Sequence, residues 1–209
     1  MSSENVKFKI GDSQISGILE QPNLDTTEVV LVLHPHPLYG GDMHNPVVLT
    51  LVNAFHDTGY ATLRFDFRGV TIRSDFAGVT GAVDDCIAAS KMLENLGFKL
   101  TGIAGYSFGG STALRFSSCN EVGFLVSISS SLALIQEDGF QVNQLSGITC
   151  PVLMFHGVSD LTVPYENMTK ISSLIGNEVK CVSLEKEGHF YHRSLTKVST
   201  RVKEFIQNL

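Results

Sequence analysis

The sequence predicts an α/β fold: a mostly parallel central sheet with helices on both faces and an antiparallel hairpin at the N-terminus. Three observations carry this reading. Six short runs are apolar at consecutive positions, as strands covered on both sides are. Helix-length segments separate those runs, which requires right-handed crossovers and gives a three-layer sandwich. Only the first twenty residues alternate apolar with polar side chains, the pattern of strands with one wet face.

In chain order, Val6, Phe8 and Ile10 alternate with polar residues, and Gly11-Asp12 turns the chain towards Ile15 to Leu19, a hairpin. The buried strands are read at EVVLVLH (28–34), YATLRFDF (60–67), LTGIAGY (100–106), GFLVSIS (123–129), PVLMFHG (151–157) and EVKCVSL (178–184). Between them, Pro46 to Asp57, Val83 to Leu96, Ser111 to Ser118, Tyr165 to Ile175 and Leu195 to Ile206 read as helices. Asp84 and Asp85 are expected to open the second helix and suit its dipole. No internal repeat, low-complexity tract or long linker interrupts the pattern, so residues 1–209 are expected to form one domain.

Bulk composition narrows the function. Hydrophobic residues make up 43% of the chain and charged ones 17%, which fits a globular domain and not a disordered one. The formal net charge is −6 with no run of lysines or arginines, so a nucleic-acid partner is not expected. No apolar stretch approaches the roughly 18 residues of a membrane span, and MSSENVKFKI lacks the basic start and apolar run of a signal peptide. Cys86, Cys119, Cys150 and Cys181 form no C-x-x-C pair and are expected to be reduced and buried. These features point to a soluble cytoplasmic protein without a membrane partner.

GYSFGG (105–110) frames a serine with glycines. With 21 serines and 19 glycines in 209 residues, a G-x-S-x-G match arises by chance in about one such chain in six, so its surroundings must decide. Ser107 falls between the strand LTGIAGY and the helix read from Ser111, a strand-to-helix elbow that crowds the backbone and needs Gly105 and Gly109. The helix N-terminus directs free N–H groups towards the serine oxygen, where developing negative charge is favoured. A serine hydroxyl is a poor nucleophile without a base, and a base needs an orienting acid. HGVSD places Asp160 just past one strand, and EGHFYH places His189 just past the next. All three lie at the carboxyl edge of the predicted parallel sheet, where open α/β sheets bind ligands. His192 competes with His189, which directly follows the strand-ending glycine and is preferred. His34, His36 and His44 cluster without a carboxylate pair, so no metal is expected. Asp66 and Arg68 read as an ion pair or a turn anchor.

These residues carry a resemblance. HPHPLYGGDMHN (34–45), LRFDFRGV (63–70), GYSFGG, HGVSD and GHFYH occur in the order and spacing of the α/β-hydrolase superfamily, over nearly the whole chain. The sequence looks like a small cap-less serine hydrolase similar to the dienelactone-hydrolase-like group, and the resemblance implies the α/β-hydrolase fold. It departs from that group at VTIRSD (70–75), where a shorter turn is usual, and in carrying serine where dienelactone hydrolase itself has cysteine.

The oxyanion hole needs two donors. One is expected from the backbone N–H of Phe108, the residue after the nucleophile. The other is expected from the HPHPLYGG loop, where Pro35 and Pro37 have no N–H; this leaves His36 and Leu38, and register against the family's H-G-x-P turn favours His36. About twenty residues separate GFLVSIS from PVLMFHG, too few for a cap domain, so the site is expected to be open. Leu132, Leu134, Ile135 and Phe140 are candidate walls, and Tyr39 and Tyr106 candidate substrate contacts. The reading is a serine hydrolase acting without a cofactor on a small ester or thioester. A non-catalytic ligand- or partner-binding protein of the same fold and, more weakly, a peptidase are its alternatives.

Overall fold

A computed structural model describes residues 2–23 and 25–209. Among them, eight strands form one sheet: β1 (Ser2–Ile10), β2 (Ser13–Gln21), β3 (Glu28–Leu33), β4 (Ala61–Phe65), β5 (Lys99–Tyr106), β6 (Phe124–Ile128), β7 (Val152–Gly157) and β8 (Val179–Leu184). Their spatial order is β1-β2-β4-β3-β5-β6-β7-β8. The hairpin β1–β2 is antiparallel with Phe8 opposite Ile15, and β2 joins β4 antiparallel with Leu19 opposite Leu63. Every pairing from β4 to β8 is parallel.

The helices α1 (Pro46–His56), α2 (Gly78–Asn95), α3 (Phe108–Ser117), α4 (Leu132–Ile135), α5 (Glu166–Ser172) and α6 (Leu195–Gln207) cover this sheet on both faces. Strand β3 shows why its run is apolar throughout. Val29, Leu31 and Leu33 enter the core with α2 and α3, whereas Val30 and Val32 enter the core with α1 and α6.

Three expectations need correction. Helix α2 begins at Gly78, not Val83, because its first turn is capped from far away: Val79 N–H donates to Glu137 Oε2 (3.4 Å) and Thr80 Oγ1 to Asp138 Oδ2 (2.8 Å). Asp84 and Asp85 therefore lie inside the helix; Asp85 is buried and Asp84 exposed. Helix α3 begins at Phe108 rather than Ser111, since the Ser107 carbonyl already accepts the Ser111 N–H at 3.0 Å. Of the four cysteines, all unpaired, Cys86 and Cys150 are buried but Cys119 and Cys181 are exposed.

Candidate active site

The parallel strands deliver their carboxyl ends to one edge, and the loops there carry Ser107, Asp160 and His189. Ser107 follows β5 with φ 56° and ψ −113°, a conformation that L-residues rarely adopt. The turn closes because Gly105 lies against the Gly109–Gly110 backbone, where any Cβ would collide. This geometry puts the serine side chain at the N-terminus of α3, with the Phe108 N–H among the first-turn donors that have no helical acceptor.

His189 Nε2 lies 3.0 Å from Ser107 Oγ, and His189 Nδ1 lies 2.7 Å from Asp160 Oδ2. All three residues are buried. With the Nδ1 proton donated to Asp160, Nε2 presents a lone pair to the serine hydroxyl. Asp160 Oδ1 accepts the N–H groups of Thr162 (2.9 Å) and Val163 (2.8 Å). Burial pushes the Asp160 carboxyl up, but hydrogen bonds from His189 and from these N–H groups outweigh it and hold the acid below its ordinary range. His192 is exposed, stacked beside Phe190, and does not meet Ser107.

The loop after β3 doubles back so tightly that a Cβ on Gly41 would strike the Pro35 carbonyl. Its two candidate donors differ. The Leu38 N–H donates to His36 Nδ1 at 3.2 Å, whereas no acceptor meets the His36 N–H among the described residues. The His36 ring packs against Phe108, with 4.9 Å between centroids. The inserted VTIRSD segment is tied on two sides: Arg73 Nη1 donates to the Leu38 carbonyl (3.2 Å) and Ser13 Oγ to Asp75 Oδ2 (3.1 Å).

Other sequence candidates take different places. Tyr39 is 87% exposed at the rim, its ring against His36. Tyr106 is no substrate contact: it is buried, and its hydroxyl donates to the His189 carbonyl at 2.6 Å. Phe140 lies under the Arg115 guanidinium, 4.7 Å away. Phe140 is half-buried there, and its contact is with this cation on α3. Leu132 is half-buried just past β6, with its N–H on Asn167 Oδ1 (2.8 Å), while Ile135 is core and Leu134 packs against it. His34, His36 and His44 do not converge: His34 is buried against Phe67, and His44 is exposed. Among the described residues, no three His, Cys, Asp or Glu side chains are grouped to hold a metal. Asp66 anchors a turn by accepting the Met43 N–H (2.9 Å), and the ion-pair partner of Arg68 is Asp85, not Asp66.

No protein-family model matches the sequence. The uncharacterized protein RP471 of Rickettsia prowazekii is 26% identical, over 96% of this chain and 87% of its own. Among solved structures, an alpha-beta serine hydrolase homologue from Coxiella burnetii is 27% identical with a TM-score of 0.85, over 98% of this chain and 97% of that one. The chain has the α/β-hydrolase fold. An α/β serine hydrolase without lid, XC6422 from Xanthomonas campestris, matches with a TM-score of 0.82 and 23% identity, over 99% of this chain and 94% of that one. Dienelactone hydrolase from Anabaena variabilis matches with 0.80 and 21%, over 99% and 97%. The structures this α/β-hydrolase fold resembles thus include both the lidless and the dienelactone-hydrolase-like kinds that the motifs suggest.

Sequence reading missed the supports beneath the three side chains. Tyr191 OH and Ser129 Oγ are 2.8 Å apart in the core under the His189 loop, and His156 Nε2 lies 3.5 Å from Asp160 Oδ2 while bonding the Val163 carbonyl at 3.0 Å. His156 and Tyr191 both stand inside quoted motifs, HGVSD and GHFYH, but their supporting roles are not legible there, because only folding brings residues 129 and 191 together.

Proposed function

We propose that the protein is a serine hydrolase that cleaves a small carboxylic ester or thioester through an acyl-enzyme on Ser107. The observation that carries this reading is the continuous hydrogen-bonded line from Ser107 Oγ through His189 to Asp160, at 3.0 and 2.7 Å, ending on a strained elbow serine. Strain of that kind persists only where the surroundings impose it, and it aims the hydroxyl out of the sheet edge.

In the reaction, Ser107 Oγ attacks the acyl carbon while its proton passes to His189 Nε2. Asp160 keeps the imidazole oriented and stabilises the imidazolium. The carbonyl oxygen gains the negative charge and is held by the N–H groups of Phe108 and His36. His189 then gives the proton to the departing alkoxide or thiolate, leaving the acyl-enzyme. Water repeats the sequence with His189 as base, releasing the acid and restoring the serine. No cofactor takes part.

The connection from β6 to β7 contains only the one-turn helix α4 and short 3-10 turns. It supports a cap-less reading with an open site. A groove of about 500 Å³ beside α6, lined by Lys180, Arg201 and Phe205, lies on the flank of β8, away from the chemistry, and has no place in this reading.

A fluorophosphonate probe and a p-nitrophenyl ester test the proposal. Wild type is expected to label and to hydrolyse; Ser107→Ala is expected to lose labelling and on the order of 10⁴-fold in rate with an unchanged circular-dichroism spectrum. A folded Ser107→Ala protein retaining a tenth of the wild-type rate would remove the serine from the mechanism.

A further inference from the structure

The loop of residues 185–194 carries His189, and one of its side chains has no role in the chemistry above. Glu187 is 3% exposed, and no lysine or arginine of the described residues pairs with it. Its carboxylate turns back into its own loop instead. Oε1 accepts the Gly188 N–H at 3.1 Å and Oε2 accepts the Arg193 N–H at 3.0 Å. Its main-chain carbonyl accepts the N–H of Ser159, next to Asp160, at 2.9 Å. One residue thereby grips the backbone immediately before His189, the backbone four residues after it, and the turn that carries Asp160.

The loop needs such a brace. Lys186 (φ 58°) and Tyr191 (φ 55°) both sit in the left-handed region that L-residues disfavour, so local preference does not hold this path. A carboxylate without a cation is costly to bury unless donors meet its oxygens. Burial pushes the Glu187 acid up, but the bonds from Ser194, Arg193 and Gly188, with His192 nearby, outweigh it and keep the group below the ordinary carboxylate range.

We propose that Glu187 is a positioning residue for the base, bracing the 187–194 loop so that His189 keeps Nε2 on Ser107 and Nδ1 on Asp160. It touches neither substrate nor reacting atoms, and the inference rests on the serine-hydrolase reading given above.

Glu187→Gln tests it with almost no change in volume. The amide NH₂ must face either the Gly188 or the Arg193 N–H, donor against donor, and one grip opens. The expected result is a loss of at least tenfold in kcat with KM within twofold of wild type, and a parallel slowing of fluorophosphonate labelling, which depends on the same His189 geometry. Val202→Ala, on the buried face of α6, supplies a comparator of lowered Tm and is expected to keep wild-type kcat. Should Glu187→Gln fail to fold, Ser194→Ala removes the side-chain hydroxyl that helps to keep the carboxylate ionised, with an expected two- to fivefold loss in kcat at constant KM. Retention of more than half the wild-type kcat by Glu187→Gln, or by Ser194→Ala where it stands in, would overturn the positioning role, as would an equal kcat loss in Val202→Ala. Wild type that neither labels nor hydrolyses would instead remove the parent reading, and this proposal with it.

Discussion

The imidazole of His34 is fully buried where β3 ends, with Nδ1 2.6 Å from the Pro35 carbonyl and Nε2 accepting the Phe67 N–H at 2.9 Å. A proton on Nε2 would confront that N–H. Burial, opposed in part by the Pro35 bond, lowers the His34 pKa to about 4. The folded value is thus depressed below the ordinary 6.5, so the unfolded chain takes up the proton first as pH falls. Stability is complete above about pH 6.5 and decreases down to about pH 4, a difference near 3 kcal/mol from this ring alone. His36, His56 and His156 are lowered too, chiefly by burial, and add in the same direction. Urea unfolding at pH 7 and pH 4 measures this. His34→Gln, whose amide oxygen can still accept the Phe67 N–H, is expected to show a pH difference about 3 kcal/mol smaller than wild type. Equal differences in the two proteins would contradict the assignment. At this scale the sequence made Ser107, Asp160 and His189 legible, because each lies in a short motif at a strand end. Glu187 and Tyr106 were not legible as supports, since what they hold is backbone that becomes adjacent only in the fold.

Helix α2 and the loop after β4 depend on each other through one buried pair. Arg68 donates through Nε to Asp85 Oδ1 (2.6 Å), through its N–H to Asp85 Oδ2 (3.1 Å) and through Nη2 to the Gly81 carbonyl (2.8 Å). Asp85→Asn is expected to destabilise the protein by roughly 2–4 kcal/mol, because its NH₂ must face a donor and the cation loses its counter-charge. The adjacent and exposed Asp84→Asn is expected to stay within about 0.5 kcal/mol of wild type. Denaturant midpoints for the two variants check this, and equal effects would return both aspartates to the helix-opening role read from sequence. That reading failed for a physical reason. Hydrophobic periodicity locates the body of α2, but its first turn is stabilised by Glu137 and Asp138, more than fifty residues away. The strand runs were legible to within a residue or two, since burial on both faces writes itself directly into composition.

Across the whole molecule, large apolar side chains left in water are unevenly placed. Among the described residues seven are exposed, and five of them, Tyr39, Ile72, Val158, Leu161 and Phe190, lie on loops at the carboxyl edge that holds Ser107. An apolar rim of this kind marks a binding edge, and on the cap-less reading proposed above it covers a bound chain from one side only. A fully buried methylene contributes about 0.8 kcal/mol, close to fourfold in kcat/KM; covering half its surface leaves about twofold. Esters of increasing acyl length are therefore expected to improve about twofold per carbon and to level off near six carbons, where the chain passes the rim. The same cap-less reading predicts no jump in rate when substrate passes from monomers to micelles, since it leaves no lid to open. Steady-state kinetics on p-nitrophenyl esters from two to sixteen carbons, beside acyl-CoA thioesters, measure both effects. A gain near fourfold per carbon continuing to twelve or sixteen carbons would require a closed apolar channel, and the open edge that the fold presents would then not be the form that binds substrate.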